Sequence, residues 1–358
     1  MRFERTCLES IGYCLPQEIV TSERLERQLA PLYERLRLPE GRLELMTGIR
    51  ERRVWPVGML PGDKSIESGE LAIQAAGIDR SLIGALVHGS VCRDHLEPAT
   101  ACRVHHGLGL PADCAIFDVS NACLGLLTGA MQIANMIELG QIRAGLVVGS
   151  EDSRHLMEAT VEMLNRDDTL SRSSIKMVIA SLTIGSGSCA WVLTDTDLSR
   201  TGNRLLTATV RANTQYHHLC QSGRDEAAAG GMRPLMNTDS EALMREGIAT
   251  GQATFDKFLA ESGWDRADIN RVFCHQVGAT HRKLMLEALG LSLERDYVTV
   301  DRLGNTGSVA LPLTMAIGLQ AGAAQPGDKL ALLGIGSGIN CVMMGTQLVG
   351  PIPIQSRG

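Results

Sequence analysis

Aromatic side chains are scarce in this chain: three Trp, four Tyr and five Phe, 3% of 358 residues. Its interior must therefore be filled by aliphatic residues, with 38 Gly allowing close packing and 15 Met filling gaps. No apolar run reaches the roughly 18 uninterrupted residues of a membrane span, so no integral membrane association is expected. The charged start Met-Arg-Phe-Glu-Arg-Thr shows no signal peptide. None of the ten cysteines forms a CxxC pair, a zinc spacing or a small disulfide framework. No metal site is expected, and reduced thiols in a cytoplasmic protein are the simplest reading. Positive charge is not in excess either: the net charge of −6 argues against a nucleic-acid partner.

What remains is an ordinary folded composition, 44% hydrophobic and 21% charged, long enough for two domains. The chain also repeats itself. Ala76–Ile83 leads into Ala85-Leu86-Val87, and the similar Ser262–Ile269 leads into Val272-Phe273-Cys274, an offset of 186 at Asp79 and Asp265. Downstream, Cys123 opens an apolar helix ending at Leu139-Gly140, and Asn305 precedes one ending at Ala321-Gly322, an offset of 182. Strands then follow at Gly145–Gly149 and Leu330–Gly334. Their continuous apolar runs predict strands covered on both faces. The expectation is a layered α/β fold of two halves, residues 1–200 and 205–358. The polar stretch at about 151–176 reads as a surface insertion, helical near Leu156–Leu164. A solvated excursion is the plain reading and a wall over a substrate channel the sharper one.

Three residues stand where chemistry could occur. Cys123 precedes a buried helix, where backbone N–H groups are expected to favour the thiolate. Asn305 is read as its mate in the repeat. His275 follows the strand Val272–Cys274, at the carboxyl end where α/β sheets form sites. Each alone has a structural reading: a core cysteine, a core histidine, a turn asparagine. Together they suit acyl transfer, with Cys123 carrying the acyl group and His275 and Asn305 stabilising an oxyanion or enolate. Backbone N–H groups of Cys123 and of Ser337, in Gly334-x-Gly336-Ser337-Gly338, are candidate oxyanion donors. Arg50, Arg52 and Arg53 cluster guanidinium forks that suit phosphate groups. Trp55 is left without a role and Cys341 is read as core.

The motifs Thr47-Gly48-Ile49-Arg50-Glu51-Arg52-Arg53, Asn121-Ala122-Cys123-Leu124, His275-Gln276 and Gly304-Asn305-Thr306-Gly307 resemble type III β-ketoacyl synthases of the thiolase superfamily. The resemblance implies a five-layered αβαβα thiolase fold, a homodimer and a Cys-His-Asn triad. It implies no permanently bound cofactor, with coenzyme A thioesters as substrates. Ser90–Ala101 and Gly336–Cys341 further resemble the OleA branch, which makes long-chain olefins. That resemblance implies that Glu97 reaches into the partner's active site as a base. Condensing two plain acyl thioesters requires removal of an α-proton, whereas decarboxylation of a malonyl thioester does not.

The first expectation is thus a non-decarboxylative Claisen condensation of two fatty acyl-CoA molecules to a 2-alkyl-3-keto acid or thioester. The alternatives are a decarboxylating 3-oxoacyl-ACP synthase III using a carrier protein, an acyltransferase to an alcohol or amine, and a thioester-binding scaffold.

Overall fold

The computed structural model describes residues 1–172, 174–223 and 235–358. Nine strands build its principal sheets: β1 (Thr6–Cys14), β2 (Ile83–Gly89), β3 (Ala115–Val119), β4 (Ala144–Glu151), β5 (Gly187–Asp195), β6 (Arg204–Ala212), β7 (Arg271–Cys274), β8 (Lys329–Gly336) and β9 (Asn340–Gln347). The order β3-β2-β4-β5-β1 gives one group and β6-β9-β8-β7 the other. A single residue pair, Cys7 with Arg204, joins β1 to β6 and so the two groups.

The helices sort into layers. α1 (Pro61–Ala76) and α2 (Thr100–Leu108) cover the outer face of the first group. α3 (Gly125–Glu138) lies on its inner face, and α4 (Arg154–Arg166) follows β4. α5 (Ser240–Ser262) and α6 (Ala279–Leu289) cover the outer face of the second group, and α7 (Ala310–Gln320) shares the central layer with α3. The result is α–β–α–β–α.

Strand alternation explains why the runs are apolar throughout. Val147 of β4 points to the central layer while Leu146 and Val148 point to the outer one. On β8, Leu330 and Leu332 face the centre, and Ala331 and Leu333 face α5 and α6. Every side chain is buried, so no polar face is needed. α3 and α7 lie between sheets and are buried over most of their surface.

The correspondence between the groups corrects the expected pairing. The 3-10 turn Ala122–Leu124 runs into α3, and the 3-10 turn Gly307–Val309 runs into α7. β4 and β8 share the same offset of 185, from Ala144 to Lys329. Cys123 therefore corresponds to Ser308, not Asn305, which lies three residues earlier. The shared glycines after the helices misled the alignment because the two helices differ in length. On this topology we infer a division near residues 200–205. One segment departs from it: β10 (Ile354–Arg357) returns to pair in parallel with β1.

The stretch at 151–176 is not a solvated excursion. Met157, Leu164 and Ile175 pack with Leu25, Leu29, Leu32 and Leu43 from the segment after β1. Those four leucines lie more than 100 residues away in sequence, so the polar sequence around 151–176 suggested exposure. Ser173 of this stretch lies outside the described residues.

Candidate active site

The turn that carries Cys123 is built by close backbone approach. A Cβ on Gly89 would meet the Gly125 carbonyl oxygen at 2.4 Å, so the end of β2 touches the start of α3. A Cβ on Gly336 would lie 3.4 Å from the Cys123 nitrogen, and one on Gly334 2.8 Å from Leu124. β8 of the second group thus reaches the nucleophile's turn. Ala122 holds φ at 45°, a left-handed conformation costing about 1 kcal/mol for a residue with a Cβ. Such local strain is common where a side chain must be aimed. Asn121 fixes the turn from both sides, donating to Thr128 Oγ1 at 2.9 Å and accepting from Asn340 Nδ2 at 3.0 Å.

The expected thiolate is not what this environment favours. Burial pushes the partly exposed Cys123 thiol up to about 12, and the charge of Glu151 adds to the effect. The Cys123 backbone N–H hydrogen-bonds the sulfur and opposes the shift. Desolvation therefore outweighs the helix terminus. The environment favours the thiol form, whose proton must leave before the sulfur can act as a nucleophile.

His275 follows β7, and its N–H donates to Leu333 O at 3.0 Å, one residue from the glycine that touches Leu124. The residue is 4% exposed, and neither ring nitrogen has a hydrogen-bond partner among the described residues. Burial, followed by the neighbouring His281, pushes its pKa down to about 3. It is a neutral imidazole at ordinary pH, able to donate from one nitrogen. It borders a narrow cleft with His281, Met285, Ile335 and Met343.

Gln276 anchors the next segment, accepting from Thr299 N and Val300 N at 3.0 Å each and donating to Tyr297 O. That segment leads to Asn305, whose N–H donates to Thr183 O at 2.8 Å and whose carbonyl accepts from Gly185 N at 2.9 Å. Its side-chain oxygen accepts from Gly307 N at 3.0 Å, leaving the amide nitrogen as a donor. The 3-10 turn after Asn305 packs on the turn that carries Cys123. Ser337 lies in the turn between β8 and β9, next to Gly336.

Glu97 is elsewhere. It is exposed on the loop between β2 and α2, and no hydrogen bond or ion pair among the described residues joins it to Cys123, His275 or Asn305. Val91 and Leu96 on the same loop are 44% and 51% exposed.

The arginines separate. Arg52 is 1% exposed and donates to Ser22 Oγ at 3.1 Å, and burial pushes its pKa down to about 10. Alternation along Glu51–Val54 turns it inward, so Arg52 cannot meet a phosphate in solvent. Arg53 donates to Pro16 O at 2.8 Å, and Arg50, the most exposed of the three, pairs with Asp301 at 2.9 Å. Trp55 is buried with its indole N–H on Glu151 O at 3.0 Å.

Sequence reasoning missed Glu151, taken as the start of a surface insertion. It is the last residue of β4, 4% exposed, and accepts from Val91 N, Cys92 N, Ser308 N and Ser308 Oγ. Its place at the end of the buried run Gly145–Ser150 was the available signal. Among the described residues no cluster of His, Cys, Asp and Glu could hold a metal ion, and no helix is long and apolar enough to cross a membrane.

The fold has known relatives. Residues 65–196 match the thiolase N-terminal domain, and residues 259–347 match the C-terminal domain of 3-oxoacyl-[acyl-carrier-protein] synthase III. An acyl-CoA:acyl-CoA alkyltransferase of Shewanella oneidensis is 44% identical over 96% of this chain and 99% of its own. One of Xanthomonas campestris is 31% identical over 96% and 98%. A crystal structure of Xanthomonas campestris OleA superposes with a TM-score of 0.91 at 30% identity, covering 97% of this chain and 98% of that one. The chain belongs to the acyl-CoA:acyl-CoA alkyltransferase (OleA) family of thiolase-fold acyltransferases.

Proposed function

We propose that this enzyme joins two fatty acyl-CoA molecules by a Claisen condensation without decarboxylation. Cys123 attacks the first thioester carbonyl, its thiol proton passes to the departing sulfur, and coenzyme A leaves as the free thiol. The backbone N–H groups of Cys123 and Ser337 hold the oxyanion. A second acyl-CoA then binds with its thioester oxygen on His275 and Asn305. Glu97 of the partner subunit removes its α-proton, and the resulting enolate attacks the acyl-Cys123 carbonyl. The new carbon–carbon bond forms as the C–S bond to Cys123 breaks, the proton removed by Glu97 restores the Cys123 thiol, and a 2-alkyl-3-ketoacyl thioester is released.

The observation that carries this reading is the near-complete match to proteins named for acyl-CoA:acyl-CoA alkyl transfer. The triad placement supports it: a buried imidazole with both nitrogens unengaged among the described residues suits an incoming thioester oxygen. Solved forms of the Xanthomonas enzyme include a glutamate variant and a cysteine variant, the two positions 26 residues apart, the separation of Glu97 and Cys123 here. Another form holds lauric acid and lauroyl-CoA. The exposed Val91, Leu96 and Ile116 suit a homodimer face that would carry Glu97 across. Arg50 remains as a candidate contact to coenzyme A. A cytoplasmic place in lipid biosynthesis fits this chemistry. A decarboxylating synthase is the weaker reading, since the curated relatives of that name shown by the comparison are 26–27% identical.

Incubation with a long-chain acyl-CoA alone tests the proposal. Thiol release together with a β-keto product is expected. Product only after addition of malonyl-ACP would replace this reading with the decarboxylating one.

A further inference from the structure

Glu151 is a buried carboxylate that the reaction above does not use. Its Oε1 accepts from Val91 N at 3.0 Å, from Ser308 N at 3.1 Å and from Ser308 Oγ at 2.5 Å. Its Oε2 accepts from Cys92 N at 3.1 Å. No ion pair to Glu151 occurs among the described residues. Four donors thus answer a buried carboxyl group that has no cation beside it among the described residues, a costly arrangement unless every bond is kept.

The four donors come from two places. Ser308 heads the central helix α7 of the second group and lies three residues beyond Asn305. Val91 and Cys92 begin the loop that ends at α2 and carries Glu97. The far end of that loop is held separately: Asp118 accepts from Thr100 N and Ala101 N at 2.8 and 2.9 Å, and Asp94 accepts from Gly62 N at 2.7 Å. The near end is tied to β4 by Ser90 Oγ, which donates to Ser150 O and accepts from Ser150 N, and by Cys92 Sγ with Asp152, while among the described residues Glu151 alone also joins it to Ser308 of the central layer. Gly307 is pressed against the same carboxylate, since a Cβ there would sit 3.0 Å from its carboxyl carbon.

We infer that Glu151 is a positioning residue that fixes the root of the Glu97 loop to the enzyme's central layer, so that Glu97 enters the partner subunit's site at the right height. This rests on the trans role proposed for Glu97. Glu151→Gln keeps the shape and the three bonds to Oε1 but sets an amide N–H against Cys92 N–H. One root bond is lost and the loop loosens. A displacement of about 1 Å at a reacting group costs about 10- to 100-fold in rate.

The effect must follow the loop, not the nucleophile, which mixed dimers separate. Two differently tagged chains are co-expressed and the heterodimer isolated. In the first, Cys123→Ala and Glu151→Gln share a chain and the other chain is native. The sole nucleophile then faces a Glu97 from the altered chain. Condensation is expected to fall 10- to 100-fold, with acyl loading within about twofold. In the second, Cys123→Ala alone is paired with a Glu151→Gln chain, and condensation is expected not to fall below that of a Cys123→Ala/native heterodimer, because removing a carboxylate charge near Cys123 does not disfavour its thiolate. Loss in the second dimer, equal loss in both, or loss in neither overturns the inference. A control replaces Glu151→Gln by Glu97→Gln in the first dimer. If that control condenses at full rate, the trans role of Glu97 fails. If it is slow while the Glu151→Gln dimer is not, only the present inference fails.

Discussion

The two 3-10 turns that head the central helices use the same backbone device for different ends. Ala122 and Gly307 each open a turn with positive φ, 45° and 57°, and the next residue is Cys123 in one and Ser308 in the other. Cys123 is left partly exposed and free to react, whereas Ser308 gives both its N–H and its hydroxyl to Glu151. The scaffold thus aims a small nucleophilic side chain twice and engages one of them internally. In the proposed reaction the second turn contributes through its neighbour Asn305, so the two copies would supply complementary parts of one site.

Exchanging residues between the turns gives the largest effects. Cys123→Ala should abolish acyl loading, read as the absence of an acyl adduct by intact-protein mass spectrometry. Adding Ser308→Cys to that variant should not restore it, because the adjacent Glu151 carboxylate disfavours a thiolate. An adduct on residue 308 would show that the turns are chemically interchangeable.

An intermediate effect concerns proton loss at Cys123. With the thiol pushed up to about 12, the thiolate fraction rises with pH across the whole working range. Alkylation of Cys123 by iodoacetamide should accelerate about tenfold per pH unit between 7 and 10. A plateau near neutrality would mean that the helix terminus or His275 holds a thiolate after all.

The smallest effect comes from making the turns alike. Ala122→Gly removes the left-handed strain at the price of extra freedom in the unfolded chain. Stability should stay level or rise by up to about 1 kcal/mol by denaturant titration. A loss larger than that would show that the Ala122 methyl is a packing contact.

Much of this was legible in the sequence because it depends on local pattern. The runs at Gly145–Gly149 and Leu330–Gly334 predict doubly covered strands, and Cys123 and His275 stand at element ends where sites form. The symmetry mate of Cys123 was misread because helix ends, not turn starts, guided the alignment. Arg52 looked like a phosphate ligand because the motif around it is dense in charge. Only the pairing of Glu51–Val54 with Glu18–Thr21 shows that it turns inward. Glu151 was invisible for a similar reason: its donors come from residues 91–92 and 308, and no spacing rule joins them. The polar stretch after it packs on leucines near the start of the chain, a contact that composition cannot announce.

The division of labour between Cys123 and Glu97 is tested most directly by following both half-reactions in Glu97→Gln with one long-chain acyl-CoA. The expected result is a normal burst of thiol release, an acyl adduct on Cys123 that accumulates, and β-keto product reduced at least 100-fold. Product formed at the native rate would contradict the account, because the α-proton would then be removed by another group.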